Sequence, residues 1–302
     1  MRPALTLRSL PWEFDESIPF QWNPSNPRFG LFINSVSFSA IAFEKYIVAA
    51  VRQAQPLITD AGLAEEADLF LRQEALHARA HRSHVKALIG KYPGLEETLT
   101  SINALYDDLL EHETLEFHLA YIADIEATFT PFFSMILNNQ AELFSLGDDR
   151  VASIFLWHFS EEIEHRSSAL AIYDHVVDNR WDRLRILPKV LRHASQVSAV
   201  VRAGFTQYVP EADRLVTETP RRLNLHTLAN RLRPQQAAAD PYPSVYSCVP
   251  RKQLLTMFYR LILSQTPHHI PELQPLPGFA KTWFEAYDSG RDVTHWYESA
   301  RG

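Results

Sequence analysis

The 302-residue sequence predicts an all-α protein: a four-helix bundle holding a dinuclear metal site, followed by a helical C-terminal extension. Three observations predict it. Glycine occurs only 9 times, and apolar residues recur at helical spacing over runs too long for ordinary strands. Two of those runs carry a Glu-x-x-His unit, Glu74-Ala-Leu-His77 and Glu162-Ile-Glu-His165. Two others carry a glutamate inside an apolar stripe, Glu44 and Glu126. One Glu from each of two helices, with Glu-x-x-His from each of two more, is the inward-facing ligand set of a carboxylate-bridged pair of metals in a bundle.

The elements follow in order. Residues 1–29 are rich in proline and aromatics and read as an irregular N-terminal arm. A helix is predicted from about Leu31 to Gln55, stopping before Pro56. A second runs from about Asp60 to Lys91, before Tyr92-Pro93-Gly94. The stretch 95–146 is too long for one helix, and Pro131 is the expected kink. Gly147-Asp148-Asp149 reads as a turn with a capping residue, opening a helix to about Asp178. Residues 181–232 look helical. The proline-rich segment 233–250 reads as a loop, and short helices are predicted at about 251–264 and 277–287. The chain thus divides into an arm (1–29), a metal-binding bundle (30–180) and an extension packed on the bundle (181–302).

Composition narrows the function. A hydrophobic content of 46% supports a large core. A net charge of −7 does not favour nucleic acid or an anionic membrane surface. The single cysteine, Cys248, leaves no disulfide framework and no thiolate metal site, and it fits a reducing compartment. Trp12, Glu13, Asp15 and Glu16 stand where a signal peptide needs an apolar run. The most apolar stretch, Leu31–Phe43, is too short and too polar at Asn34 and Ser35 for a membrane span. A cytoplasmic protein is expected.

Helical spacing gives the metal reading its physical basis. Residues three or four apart share a face, so Glu74 projects with His77, and Glu162 with His165. His158 lies four residues before Glu162, and His81 four after His77. A glutamate on an apolar stripe is costly to bury unless it is paired or binds a metal. Carboxylate and imidazole without thiolate suit iron or manganese. Alternatives stand beside this set. Glu44 could pair with an arginine, Glu116 competes with Glu126, and Glu161 competes with Glu162. His158 is a ligand, a core histidine or a donor behind the ligands. His81 is an additional ligand, a group behind the ligands, or part of a polar edge with His84. Gln73 and Glu161 each precede a ligand glutamate and could orient it. His268 and His269 read as loop residues. Phe129, Phe132, Phe133 and Phe155 line a substrate pocket or fill the core.

The stretch Phe70 to His81, with Trp157-His-Phe-Ser-Glu-Glu-Ile-Glu-His165, resembles the bacterial family catalogued as predicted metal-dependent hydrolases. The segments Ala123–Phe132 and Phe43–Tyr46 resemble it too. The ligand order is also similar to that of ferritin-like di-iron arylamine N-oxygenases, which have a further histidine four residues before the last Glu-x-x-His. His158 occupies that position. The resemblance implies a first shell of Glu44, Glu74, His77, Glu126, His158, Glu162 and His165; His81 has no counterpart in that pattern.

Together these readings predict a di-iron oxygenase with O2 as co-substrate, manganese being the other metal that fits. The substrate is a small, largely apolar or aromatic molecule, with N-oxygenation of an amine first among the outcomes. No flavin or nicotinamide motif is present, so an external electron donor, such as a separate reductase, is expected. A dinuclear hydrolase is the alternative, and non-catalytic ferritin-like iron binding the third reading. Trp283, Phe284 and Tyr287 read as a packed aromatic edge of the extension, with a homodimer interface there as the open alternative.

Overall fold

The computed structural model describes residues 5–177, 179–216 and 242–299, and among these every regular element is a helix. Helix α1, Pro27–Ala54, starts where the Asn26 side chain accepts from Phe29 N, with Pro27 at the first helical position, where its missing N–H costs nothing. It lies at the centre of the protein with most of its surface buried. By length and composition the segment Pro27–Leu57 could cross a membrane, a longer apolar run than Leu31–Phe43 alone. Its most apolar window is 78% buried inside the protein, so its apolarity serves the core. Helix α2, Ala61–Lys91, is capped by Asp60, which accepts from Leu63 N at 2.7 Å. It packs along α1.

The stretch 95–146 divides differently from expectation. Helix α3 spans Leu95–His112 and α4 spans Leu115–Leu137. The break falls at Glu113-Thr114, where both residues are extended and the Thr114 side chain caps Phe117 N. Helix α4 runs through Pro131, so the predicted kink is not where the helices separate. A local cap ended one helix, while tertiary packing carried the other past its proline. Nearly every residue from Phe117 to Leu137 is buried.

The short α5, Gln140–Phe144, leads to α6, Asp149–Glu164, which starts at the predicted cap Asp148. Every residue of α6 from Val151 onward is buried. The helix ends at His165, well short of Asp178. Ser168 N donates to His165 O at 2.8 Å, and α7, Ser168–Val177, begins there. Neither glycine nor proline marks this break. The serines Ser167 and Ser168 were its only signal in the sequence.

Helix α8, Trp181–Tyr208, lies against α3 and α4. A Cβ at Gly204 would overlap the Thr98 side chain, so the missing side chain lets α8 close on α3. The predicted helix to 232 stops here at Val209-Pro210, followed by the single turn α9, Glu211–Arg214. Its remainder, and residues 233–241 of the loop expected over 233–250, lie outside the described residues, while 242–250 form no helix. Helices α10, Arg251–Ser264, and α11, Gly278–Asp288, agree with expectation.

Residues 5–26 of the expected arm form neither helix nor strand, while Pro27–Phe29 open α1, and the arm contributes to the core. Ile18, Phe20 and Trp22 are buried, and Asn34 Nδ2 holds Phe20 O at 2.7 Å. Arg183 on α8 meets Asp124 on α4 at 2.8 Å, with both side chains buried, and Arg183 also donates to Ser264 O at the end of α10.

Candidate metal centre

Four helices bring the predicted ligands together. Glu44 comes from α1, Glu74 and His77 from α2, Glu126 from α4, and His158 and Glu162 from α6. His165 stands just past the end of α6. All seven are buried. Their donor atoms form two overlapping groups. Glu44, His77, His158 and Glu162 make one, and Glu74, His77, Glu162 and His165 the other, with the atoms of each within 4.8 Å of one another. His77 and Glu162 are shared. Glu126 Oε2 approaches the second group at 3.6 Å from His165 Nδ1. Glu116 is exposed in the first turn of α4.

The electrostatics of these groups call for cations. Burial pushes the Glu44 and Glu74 carboxyls well above the usual range, and for Glu74 the neighbouring glutamates push the same way. Burial also holds His158 and His165 down at about 4, keeping the imidazoles neutral and ready to donate lone pairs. Burial opposes protonation of His77, but the hydrogen bond to Glu161 and the nearby Glu162 carboxylate outweigh this and raise it to about 10. Burial would raise Glu162, yet His165 and His158 hold it well below the ordinary value. Several inward-facing atoms make no hydrogen bond: Glu44 Oε2, both oxygens of Glu74, His77 Nδ1, Glu162 Oε2 and both ring nitrogens of His165. Buried polar atoms are ordinarily satisfied. Two divalent ions would satisfy these, and their charge equals that of the four carboxylates. The residues therefore fit a dinuclear metal site, with oxygen and nitrogen donors of the kind iron and manganese take.

Groups behind the ligands fix their orientation. His77 Nε2 donates to Glu161 Oε2 at 2.9 Å, which turns Nδ1 toward Glu162. Glu161 in turn accepts from Arg8 at 3.0 Å, and Arg8 also holds both oxygens of Glu164 at 2.9 Å. Arg8 lies over the Phe284 ring at 4.5 Å, tying the arm to α11, where Trp283 stacks on Tyr287. His158 Nδ1 bonds His81 Nε2 at 2.7 Å, and His81 Nδ1 meets Ser37 Oγ at 2.9 Å. Ser37 Oγ also meets His84 Nδ1 at 2.8 Å. His81 thus stands behind His158 and outside both donor groups. Gln73 reaches Thr6 O and Glu164 rather than a donor group. His268 and His269 lie in the loop after α10 and belong to neither donor group.

Arg8, Ser37 and Glu164 were not singled out from the sequence, and His84 only as part of a polar edge with His81. Arg8 could not have been, since 153 residues separate it from Glu161. A buried Glu161–Glu164 pair demands a cation, but that burial appears only in three dimensions.

A cavity of about 310 Å³ reaches the centre at Glu44, His158 and Glu162. Phe129 and Phe133 line it with Phe43, Tyr106 and Tyr121, and α8 closes its outer side. Phe132 instead packs on Phe32, and Phe155 on His81.

Fold and site define an all-helical protein with a buried carboxylate–histidine cluster able to hold two metal ions. The chain belongs to the family described as "Predicted metal-dependent hydrolase", whose sequence model matches residues 6–246. That match includes the arm, with Arg8, and all of α8. No curated protein and no solved structure matches the chain.

Proposed function

We propose that the protein is a di-iron enzyme that uses O2 to oxidise a small, largely apolar organic substrate. The observation that carries the reading is the pair of donor groups sharing His77 and Glu162, on helices in the Glu, Glu-x-x-His, Glu, Glu-x-x-His order, beside a mainly aromatic cavity. The first shell of this reading is Glu44, Glu74, His77, Glu126, His158, Glu162 and His165. Bound there, two iron ions supply the redox chemistry for O2, with electrons from an external donor. The chain's own residues do the rest. Glu161 and His81 hold the rings of His77 and His158 in place. Phe43, Phe129 and Phe133 keep water from the face on which substrate meets the centre.

Hydrolysis is the second reading, and the family description favours it. The same residues would then hold two ions that activate water and polarise an acyl or phosphoryl oxygen. The walls near Glu44 and His158 are apolar, which suits a hydrocarbon better than a phosphate ester. Two assays separate the readings. The iron-loaded protein should consume O2 when reduced, and Glu74→Ala should abolish it. If the zinc-loaded protein instead cleaves p-nitrophenyl esters or phosphates, with loss in Glu74→Ala and no O2 uptake by the iron form, hydrolysis is the function.

A further inference from the structure

We propose that Trp157 and Trp12 form an electron relay between the protein's surface and the metal centre, reaching it at His77 and away from the substrate cavity. The proposal rests on the reading of the centre as a pair of irons that O2 oxidises.

The relay starts at a ligand. The Trp157 indole stands edge-on to the His77 ring, with centroids 4.9 Å apart and planes at 81°. Trp12, from the N-terminal arm, packs on Trp157 in turn, with centroids 5.4 Å apart. Trp157 is buried and Trp12 half-buried, so two ring contacts lead from the centre toward solvent.

The other neighbours of the ligand histidines are poorer carriers. Among the described residues, the rings set against His77, His158 and His165 are other histidines, Phe70, Phe133, Phe159 and Trp157. An indole gives up an electron more readily than a benzene or an imidazole ring, because its π-system is larger and richer in electrons. Trp157 is thus the oxidisable ring in contact with the ligands.

The indole nitrogens fit electron transfer without proton transfer. Nε1 of Trp12 and Nε1 of Trp157 are both buried, and neither has a hydrogen-bond partner. A buried indole N–H ordinarily finds one. With no base at either nitrogen, each ring loses and regains an electron while keeping its N–H. Trp157 gives one electron to the oxidised centre and becomes a radical cation. Trp12 gives one to Trp157, and a one-electron donor in solution gives one to Trp12. No bond forms or breaks at any step.

The route is separate from that of the substrate. Trp12 and Trp157 line a second cavity, of about 510 Å³, together with exposed Glu13 and Arg79. Among the described residues, none lines both this cavity and the one that reaches Glu44, His158 and Glu162. A donor can therefore supply electrons while substrate occupies the aromatic cavity.

The test mixes the Fe(II)-loaded protein, its metal content measured, with O2 in the absence of substrate, and freeze-quenches it for electron paramagnetic resonance. A transient organic radical is expected. Ring-deuterated tryptophan should narrow its signal, and ring-deuterated tyrosine should not. Trp157→Phe, which keeps a packed ring, should abolish the signal. Ferrocyanide should shorten the life of the radical in the wild type. Trp12→Phe should keep the radical and lose the response to ferrocyanide. Iron content and thermal unfolding establish that each variant is loaded and folded. A protein whose iron is oxidised by O2 without any tryptophan radical overturns the relay. So does a signal narrowed by labelled tyrosine instead, a tryptophan signal that survives Trp157→Phe, or an equal ferrocyanide response in Trp12→Phe. Iron that loads but does not react with O2 overturns the oxidative reading of the centre, and the relay with it.

Discussion

His77 donates from Nε2 to Glu161 at 2.9 Å, and this bond decides which nitrogen faces the centre. Glu161 is held by Arg8 from the N-terminal arm, so a residue near the start of the chain reaches the donor groups through two hydrogen bonds. Such partners raise the basicity of a ligand and fix its tautomer. Glu161→Ala should therefore lower metal affinity roughly 10–100-fold, and Arg8→Ala should also lower it. Chelator competition measures this. An unchanged affinity in a folded Glu161→Ala protein would remove Glu161 from the account.

Crowded carboxylates make opposite demands with and without metal. In the metal-free protein, Glu74 is raised by burial and by three other glutamates of the centre. Glu74→Gln relieves that repulsion and should raise the melting temperature of the metal-free form by about 2 °C or more. It should lower that of the metal-loaded form, because a charged donor is lost. Calorimetry on both forms reads the two signs, and the same sign in both would count against a metal-balanced site.

His84 gives a pH dependence with a definite sign. Burial pushes it down to about 4, against 6.5 unperturbed. Between these values the unfolded chain binds a proton there and the folded protein does not, so stability rises with pH across the window and is lost as pH falls from about 6.5 to 4. One such group contributes a slope of about 1.4 kcal/mol per pH unit. Urea unfolding of metal-free His84→Gln should show a slope smaller by about that amount. An unaltered slope would mean that His84 is protonated in the folded state.

The Asp124–Arg183 pair ties α4 to α8, and so holds the outer wall of the cavity. Arg183→Met leaves a buried carboxylate alone and should cost about 3–5 kcal/mol. The double change Asp124→Leu with Arg183→Met should cost much less. Equal losses in urea unfolding would show that the pair itself stabilises the protein.

Periodicity made the helices legible, and their spacing made the ligands legible. Glu74 with His77 and Glu162 with His165 are local facts, written in single turns of helix. The helix ends were harder where caps competed with stronger signals. Pro131 was the expected kink, yet the helices separate at Thr114, because packing against neighbouring helices can keep a proline inside α4 while an exposed turn takes the first cap offered. His165 ends α6 through a backbone turn that no glycine or proline announces. The partners of the ligands were out of reach, since Arg8 and Glu161, or Ser37 and His81, meet only once the bundle is built.

The most direct test is anaerobic Fe(II) loading, metal analysis, and then O2 exposure under optical spectroscopy. The account predicts about two irons per chain and a transient visible absorption after O2, both lost in Glu74→Ala. One iron or none, or tight zinc binding with no response of the iron form to O2, would contradict it.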